Sequence, residues 1–391
     1  MSTLDREHAA LATAARLFDE LAAESADPPG VTRDSFGAGE AMAHRLLARE
    51  GDRLGLERRI DAIGNLYLTL PGRDRTRPAV MLGSHLDSVP HGGNFDGAAG
   101  VLAGLATLER LVERGRPPAV DVTVMAIRAE EMIWFPTHYL GSRAAFGRLP
   151  ADTPDRVCRA DTGRPLAAHM HDHGFDPDTI RGGRATLDPA RIAAFFELHI
   201  EQGPRLVADD LPVGIVTAVR GNRRYRFGRV RGVWDHAGGV PRRSRHDAVL
   251  AAVAFAHGLD ARWAALEAEG HDLVATLGEF WTPPERHGIT KIPGELRFTL
   301  DIRSEDEALL GRLDEELRAD AARLAGERGV TLDLGDATHA APALMDDGLR
   351  TRLHDAAARL DVPCRAMPSG GGHDAAVFAG EGVPTAMVFV R

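Results

Sequence analysis

The chain has 391 residues, 44% hydrophobic and 27% charged, enough for one or two domains with full cores. Its 57 acidic against 47 basic residues leave a formal charge of −10, which argues against a basic nucleic-acid-binding surface. No uninterrupted apolar run approaches the roughly 20 residues of a membrane span, and the opening MSTLDREHAA has acidic residues and no apolar signal core.

Leu4, Leu11, Ala14, Leu17 and Leu21 recur at helical spacing over residues 1–25, and Pro28-Pro29-Gly30 ends that helix. A second helix is predicted over Ala38–Glu50. Leu56–Leu70 reads as a hairpin around Gly64-Asn65. Then follow a strand over 78–84, a helix over 97–114 and a strand over 120–128. Strand, helix and strand with short links predict a βαβ unit in a sheet at least partly parallel. Ligands in such sheets lie beyond the carboxyl ends of the strands. His85 and Glu130-Glu131 fall just past two such ends.

Arg143–Leu149 is predicted as a short helix, and 150–187, rich in Pro, Asp, Gly and Thr, as connecting structure. It contains His169, His171 and His173 around Asp172. No apolar pattern fixes these side chains, so a solvated loop is expected. Ala193–Leu198 leads as a strand into His199. Beyond it, strands are predicted over Gly214–Val219, Arg224–Val230, Leu273–Phe280, Leu296–Ile302 and Val330–Leu334. Helices over Asp247–Leu266 and Glu305–Glu327 separate them. Tyr225–Val230 reads as an outer strand with an exposed edge. A helix over Leu349–Leu360 and a terminal apolar strand, Pro384–Val390, return the chain to the first sheet. The predicted fold class is α/β: a catalytic domain with a mixed, partly parallel sheet flanked by helices. Its two parts, 1–216 and 337–391, are interrupted by a smaller α+β domain, 217–336.

The stretch Met81–Gly100, MLGSHLDSVPHGGNFDGAAG, delivers His85, Asp87 and Asp96 where a strand ends and a helix begins. A His and an Asp so placed reach one metal ion. Asp87, two residues past His85 and on the same side of the strand, accepts the second imidazole N–H and orients the ring. A single His or Asp beside a glycine-rich turn is ordinarily only a polar loop residue. Here matching groups recur downstream: Glu130-Glu131, His199 in Glu-Leu-His-Ile-Glu-Gln-Gly, and His236 in Trp-Asp-His-Ala-Gly-Gly. Of two adjacent carboxylates at a strand end, one can bind a metal while the other takes a proton from water.

Gly83-Ser84-His85-Leu86-Asp87-Ser88-Val89-Pro90, Gly92-Gly93-Asn94-Phe95-Asp96-Gly97, Glu130-Glu131, Gly141-Ser142-Arg143, Glu197-Leu198-His199-Ile200-Glu201-Gln202-Gly203-Pro204 and Ser369–Asp374 resemble the hydantoinase/carbamoylase amidases. These include N-carbamoyl-L-amino-acid hydrolases, allantoate amidohydrolases and β-ureidopropionases, relatives of the aminoacylase and carboxypeptidase metallopeptidases. The resemblance covers about residues 40–391 and keeps motif order.

It implies a hydrolase of linear amide or ureido C–N bonds, with two divalent ions per subunit, zinc, manganese, cobalt or nickel. His85, Asp96 and His199 would hold one ion, and Asp96 would bridge to a second held also by Glu131. Glu130 would be the general base, with Asp87 beside it in the catalytic group. His236 would reach the active site across a homodimer formed by the inserted lid domain and stabilise an oxyanion. Arg303 would take a substrate carboxylate, and Gln202, Thr290, Gly371 and His373 would complete the substrate contacts. With two isolated cysteines, Cys158 and Cys364, a reducing cytoplasm is the expected setting. A small-molecule substrate is expected, with no nucleic acid or membrane partner.

Thr290 stands where the family commonly has Asn, and Met132-Ile133-Trp134 where many members have Gly after the glutamate pair. Family members continue past the final strand to a further metal-ligating histidine. This sequence stops at Arg391, so the second site is expected to be the less complete. Two rivals stay open at this level: an aminoacylase or peptidase of the wider superfamily, and a dimeric binding protein without turnover.

Overall fold

The computed structural model describes residues 3–391, with side chains from Ala10 onward. Leu4 and the first residues of the N-terminus, read above for helix pattern and signal core, have no described side chains. The chain divides into two compact units, 1–217 with 344–391, and 218–343.

The first unit is built on a nine-stranded mixed sheet. Its centre is four parallel strands in the order Thr385–Val390, Ile192–Ile200, Ala79–His85, Val122–Ile127. All six residues of Val122–Ile127 are buried, as a strand covered on both faces requires. The hairpin Glu57–Ile60 and Leu66–Leu70 extends one side antiparallel. Val213–Val219 pairs antiparallel with the terminal strand on the other.

Helix Ala98–Glu113 buries Val101, Leu102, Leu105 and Leu108 toward the sheet, a stripe at helical period. Gly100 lets it come close: a Cβ there would lie 2.2 Å from the Leu198 carbonyl oxygen. Leu17 and Leu21 of helix Thr3–Glu24, and Leu46 and Leu47 of helix Ala38–Arg53, join the same core.

The second unit is a six-stranded sheet with two long helices. Leu296, Phe298, Leu300 and Ile302 alternate inward along Glu295–Ser304, the period-2 pattern of a half-buried strand. They meet Phe255 and Leu259 of helix Ala248–Ala268 and Leu310, Leu313 and Leu317 of helix Glu307–Arg328. Asp247 and Asp306 cap the two helices, each accepting two backbone N–H bonds.

Four expectations change. Gly221–Arg231 is an interior strand, paired with Glu295–Ser304 on one side and with Thr331–Asp333 and Ala337–Ala340 on the other. Its alternation of apolar and charged residues suggested an edge, but strands pair on both sides of it, and Arg223 and Arg224 find Glu307 and Asp301 as partners. Helix Ala248–Ala268 is, by length and composition, apolar enough to cross a bilayer, because alanine runs carry it over His257, Asp260 and Arg262. It packs Ala248, Ala251, Ala252, Phe255 and Leu259 into the unit's core. The helix expected over Arg143–Leu149 lies at Leu140–Ala145. The segment 150–187 forms three short helices, Thr153–Arg156, Leu166–Asp172 and Asp178–Arg181. Leu166 and Met170 tie it to a core with Phe135 and Ile180.

Candidate metal centre

The parallel strands set the site. His85 ends its strand, His199 is the penultimate residue of the neighbouring one, and Glu130 and Glu131 follow Val122–Ile127. Asp96 lies in the loop before helix Ala98–Glu113. Between them Gly97 has φ +63°, and a Cβ there would sit 2.5 Å from the His85 ring. Only glycine suits both demands.

The Oδ1 of Asp96 lies 3.2 Å from His199 Nε2 and 3.7 Å from His85 Nε2. Ligand atoms of the three residues fall within 4.8 Å of one another. Both histidines are turned by their other nitrogen. His85 Nδ1 is 3.0 Å from the Asp87 carbonyl and 3.2 Å from its carboxylate. His199 Nδ1 is 2.9 Å from the Ile200 carbonyl. With Nδ1 so engaged, each Nε2 is turned toward Asp96, and the Gly97 N–H donates to His199 Nε2 at 3.2 Å. Glu130 Oε2 is 4.0 Å from His85 Nε2.

Charge is concentrated and desolvated here. Burial pushes the Glu131 carboxyl up, to about 7, with Asp87 and Asp96 adding to the effect. Glu130 goes well above the usual carboxylate range through burial and the charges of Asp374, Glu131 and Asp87. Burial opposes a charged His85, yet Asp87, Glu130 and Asp96 outweigh it and raise the imidazole. Asp96 is lowered: bonds and charges from His199, His85 and Gln202 overcome its burial.

A layer of buried polar groups holds these side chains. Asp87 accepts from the backbone N–H of Glu130 at 3.2 Å and of Glu131 at 3.1 Å, and from Ser35 Oγ at 2.6 Å. Arg33, fully buried, donates to the Leu86 carbonyl and to Asn94, bracing the loop between His85 and Asp96. Glu197 accepts from Ser84 Oγ and the Ala375 N–H. Arg33 was not singled out from sequence: it stands in the polar run Thr32-Arg33-Asp34-Ser35, which reads as an ordinary surface loop.

Gln202, with φ +56°, donates from Nε2 to Asp96 Oδ2 at 2.6 Å. Gly371 lies beside it: a Cβ there would be 3.2 Å from Gln202 Oε1. The His373 ring stands edge-on to His199, 4.4 Å between centroids, and its Nε2 is 2.9 Å from Ser369 Oγ. Gln202, Gly371 and His373 therefore adjoin the histidine–aspartate group.

His236, Thr290 and Arg303 belong to the second unit. His236 is exposed, in a two-residue strand paired with Lys291-Ile292. The Thr290 carbonyl accepts from the N–H of Ala237, so Thr290 and His236 are neighbours. Arg303 donates from Nε and Nη2 to Asp301 Oδ2 at 3.0 and 2.7 Å. His169, His171 and His173 share helix Leu166–Asp172 and its cap but serve separately. His169 is buried against Phe135 and bonded to Thr162, and His173 stacks on Phe175.

Two imidazole nitrogens and a carboxylate oxygen that converge in a buried pocket form a donor set for a borderline divalent cation. The residues present fit one. Among the described residues no other group of three such ligands is found.

Residues 81–391 match Peptidase family M20/M25/M40. The N-carbamoyl-L-amino-acid amidohydrolase of Paenarthrobacter aurescens is 33% identical over 371 residues, 95% of this chain and 88% of the relative. The allantoate amidohydrolase of Escherichia coli is 33% identical over 372 residues, 95% of this chain and 87% of the relative. The crystal structure of a hydantoinase/carbamoylase family amidase from Burkholderia ambifaria superposes with a TM-score of 0.86 at 32% identity, covering 97% of this chain and 89% of that one. The chain thus belongs to the M20/M25/M40 peptidase family and, within it, to the hydantoinase/carbamoylase amidases.

Proposed function

We propose that this protein is a metal-dependent amidohydrolase that cleaves a linear ureido C–N bond, with N-carbamoyl-L-amino acids, allantoate or β-ureidopropionate as the substrate class. The observation that carries the reading is the meeting of His85, Asp96 and His199 within 4.8 Å beside the half-buried Glu130. His85, Asp96 and His199 would hold one divalent ion, and Asp96 with Glu131 a second. Bound there, such ions would supply Lewis acidity toward a carbonyl and acidify water.

The chain's own groups do the rest. Glu130 takes a proton on its carboxylate from the attacking water and returns it to the leaving nitrogen. Burial raises its proton affinity, which brings a carboxylate closer to the basicity that proton transfer near neutral pH needs. Asp87 holds the backbone of Glu130 and the ring of His85 at once. Gln202 orients Asp96 and, with Gly371 and His373, borders the bound ureido group. Arg303 exchanges Asp301 for a substrate carboxylate, and His236 donates to the developing oxyanion. The second unit joins two copies into a homodimer. A reducing cytoplasm suits the two free cysteines.

The test is a hydrolysis screen with added zinc, manganese, cobalt or nickel. It measures ammonia released from N-carbamoyl-L-amino acids, β-ureidopropionate and allantoate. Turnover is expected, and Glu130→Gln should lower kcat by about 10²- to 10⁴-fold. Cleavage of N-acyl amino acids or dipeptides instead would move the protein to the aminoacylase or peptidase activities. No turnover on any of them would refute the reading.

A further inference from the structure

Glu40 lies in helix Ala38–Arg53, outside every motif that carries the family resemblance. Its side chain is completely buried. Oε1 accepts from the N–H of Ala129 at 2.8 Å. Oε2 accepts from the N–H of Phe36 at 2.7 Å and from Arg128 Nη1 at 2.8 Å. Ala129 and Phe36 are both non-glycine residues in the left-handed region, with φ +53° and +47°. That conformation brings Cβ against the backbone and persists only where surroundings enforce it. One carboxylate thus ties down the amides of two such residues.

Ala129 directly precedes Glu130. The next two amides, of Glu130 and Glu131, are held by Asp87. Asp87 also binds Ser35, the neighbour of Phe36. Two carboxylates therefore take three successive N–H groups and staple the turn at 129–131 to the loop at 35–36. The other side of the turn is pinned by Arg128, whose N–H bonds Asn65 and whose Nε bonds the Gly64 carbonyl. Without a partner for its N–H, Ala129 would relax toward negative φ, and rotation there swings the two residues that follow.

We infer that Glu40 is a positioning residue: by holding Ala129 in the left-handed conformation it aims Glu130 at the reacting centre and Glu131 at the metal. The inference rests on the reading of Glu130 as general base. Glu40 touches no substrate and acts only through the backbone.

The experiment compares the full-length parent with Glu40→Gln, Glu40→Asp and the pair Glu40→Gln/Ala129→Gly. It follows amide hydrogen exchange at residues 129–131, and kcat and KM on the best ureido substrate. In Glu40→Gln an amide NH2 must face a backbone N–H or Arg128. Exchange protection at the three amides should fall by at least about tenfold. The kcat should fall about tenfold to a hundredfold, with KM within about twofold. Adding Ala129→Gly should recover part of kcat, because glycine takes positive φ unaided. A purely structural role would lower the melting temperature and leave kcat of the folded enzyme alone.

If Glu40→Gln does not fold, Glu40→Asp keeps the charge for Arg128 but cannot span both amides, and the same changes are expected of it. A folded variant with parental protection and parental kcat overturns the inference, as does a kcat loss with parental protection that Ala129→Gly leaves unrescued. Loss of protection beside an unaffected Glu130→Gln would instead keep the clamp and dismiss Glu130 as the base.

Discussion

The carboxylate of Asp87 lies 3.2 Å from Nδ1 of His85 and fixes which nitrogen of that ring faces Asp96. The same carboxylate accepts the amides of Glu130 and Glu131. One group therefore holds both the His85 ring and the backbone of Glu130 and Glu131. Asp87→Asn keeps the shape but removes the charge and sets an amide NH2 against a donor. Metal affinity should fall about 10- to 100-fold, and stability by about 1–2 kcal/mol. Calorimetric titration with zinc or manganese, paired with urea unfolding, measures both; unchanged affinity would mean the ring is oriented by other contacts.

Metal uptake should release protons. Without an ion, burial holds Glu131 protonated up to about 7, and the carboxylates around His85 keep its imidazole charged despite burial. A cation needs both groups deprotonated. Affinity should therefore rise as pH rises through about 7, with at least one proton expelled per ion near pH 6.5. Titration in buffers of different ionisation heat counts those protons. Chelation should stop ammonia release and lower the melting temperature, and metal should restore both. Proton-free uptake would contradict the electrostatics described.

Gly97→Ala should disable the centre without touching a ligand. The residue sits at φ +63°, and the new methyl would lie 2.5 Å from the His85 ring. The backbone conformation alone costs about 1–2 kcal/mol, and the imidazole must move. Metal affinity at least about tenfold weaker is the expected result, by analogy with loss of an orienting contact. Parental affinity would show that the ring gives way harmlessly.

His44 makes the fold acid-sensitive. Both its ring nitrogens are buried with no hydrogen-bond partner among the described residues. Burial first, and the Arg128 charge second, hold it well below the usual histidine range. The folded form stays neutral while the unfolded form takes a proton below about pH 6.5, so acid favours unfolding. Glu40, raised to about 7 by burial, works in the opposite direction, since it is protonated more readily when folded. A comparison of His44→Leu with the parent cancels that contribution. The variant's relative stability should grow by up to about 2 kcal/mol from pH 7.5 to pH 5. Urea midpoints at the two pH values read it out, and parallel pH curves would exclude His44 as the cause.

The βαβ core was legible because its signals are local. Val122–Ile127 is apolar at every position but Thr123, helix Ala98–Glu113 carries a 3.6-residue stripe, and the terminal apolar run returns to the first sheet as expected. The segment 150–187 was not legible, since its short helices exist through contacts of Leu166 and Met170 with Phe135 rather than through periodicity. The interior place of Gly221–Arg231 was hidden for a related reason. Which strand is an edge depends on what pairs beside it, and its partners come from residues 295–304 and 331–340.

Residue identity and spacing by themselves determined the fold class, the glutamate pair at a strand end and the histidine and aspartate that flank the first strand–helix turn, because each depends on neighbours a few positions apart. Only the tertiary structure decided that Gln202 bonds Asp96 and that Glu40 grips Ala129. Those contacts join residues far apart in the chain. They exist because strand order brings the chain ends of the sheet together, and because a buried carboxylate must find donors wherever the packing leaves them.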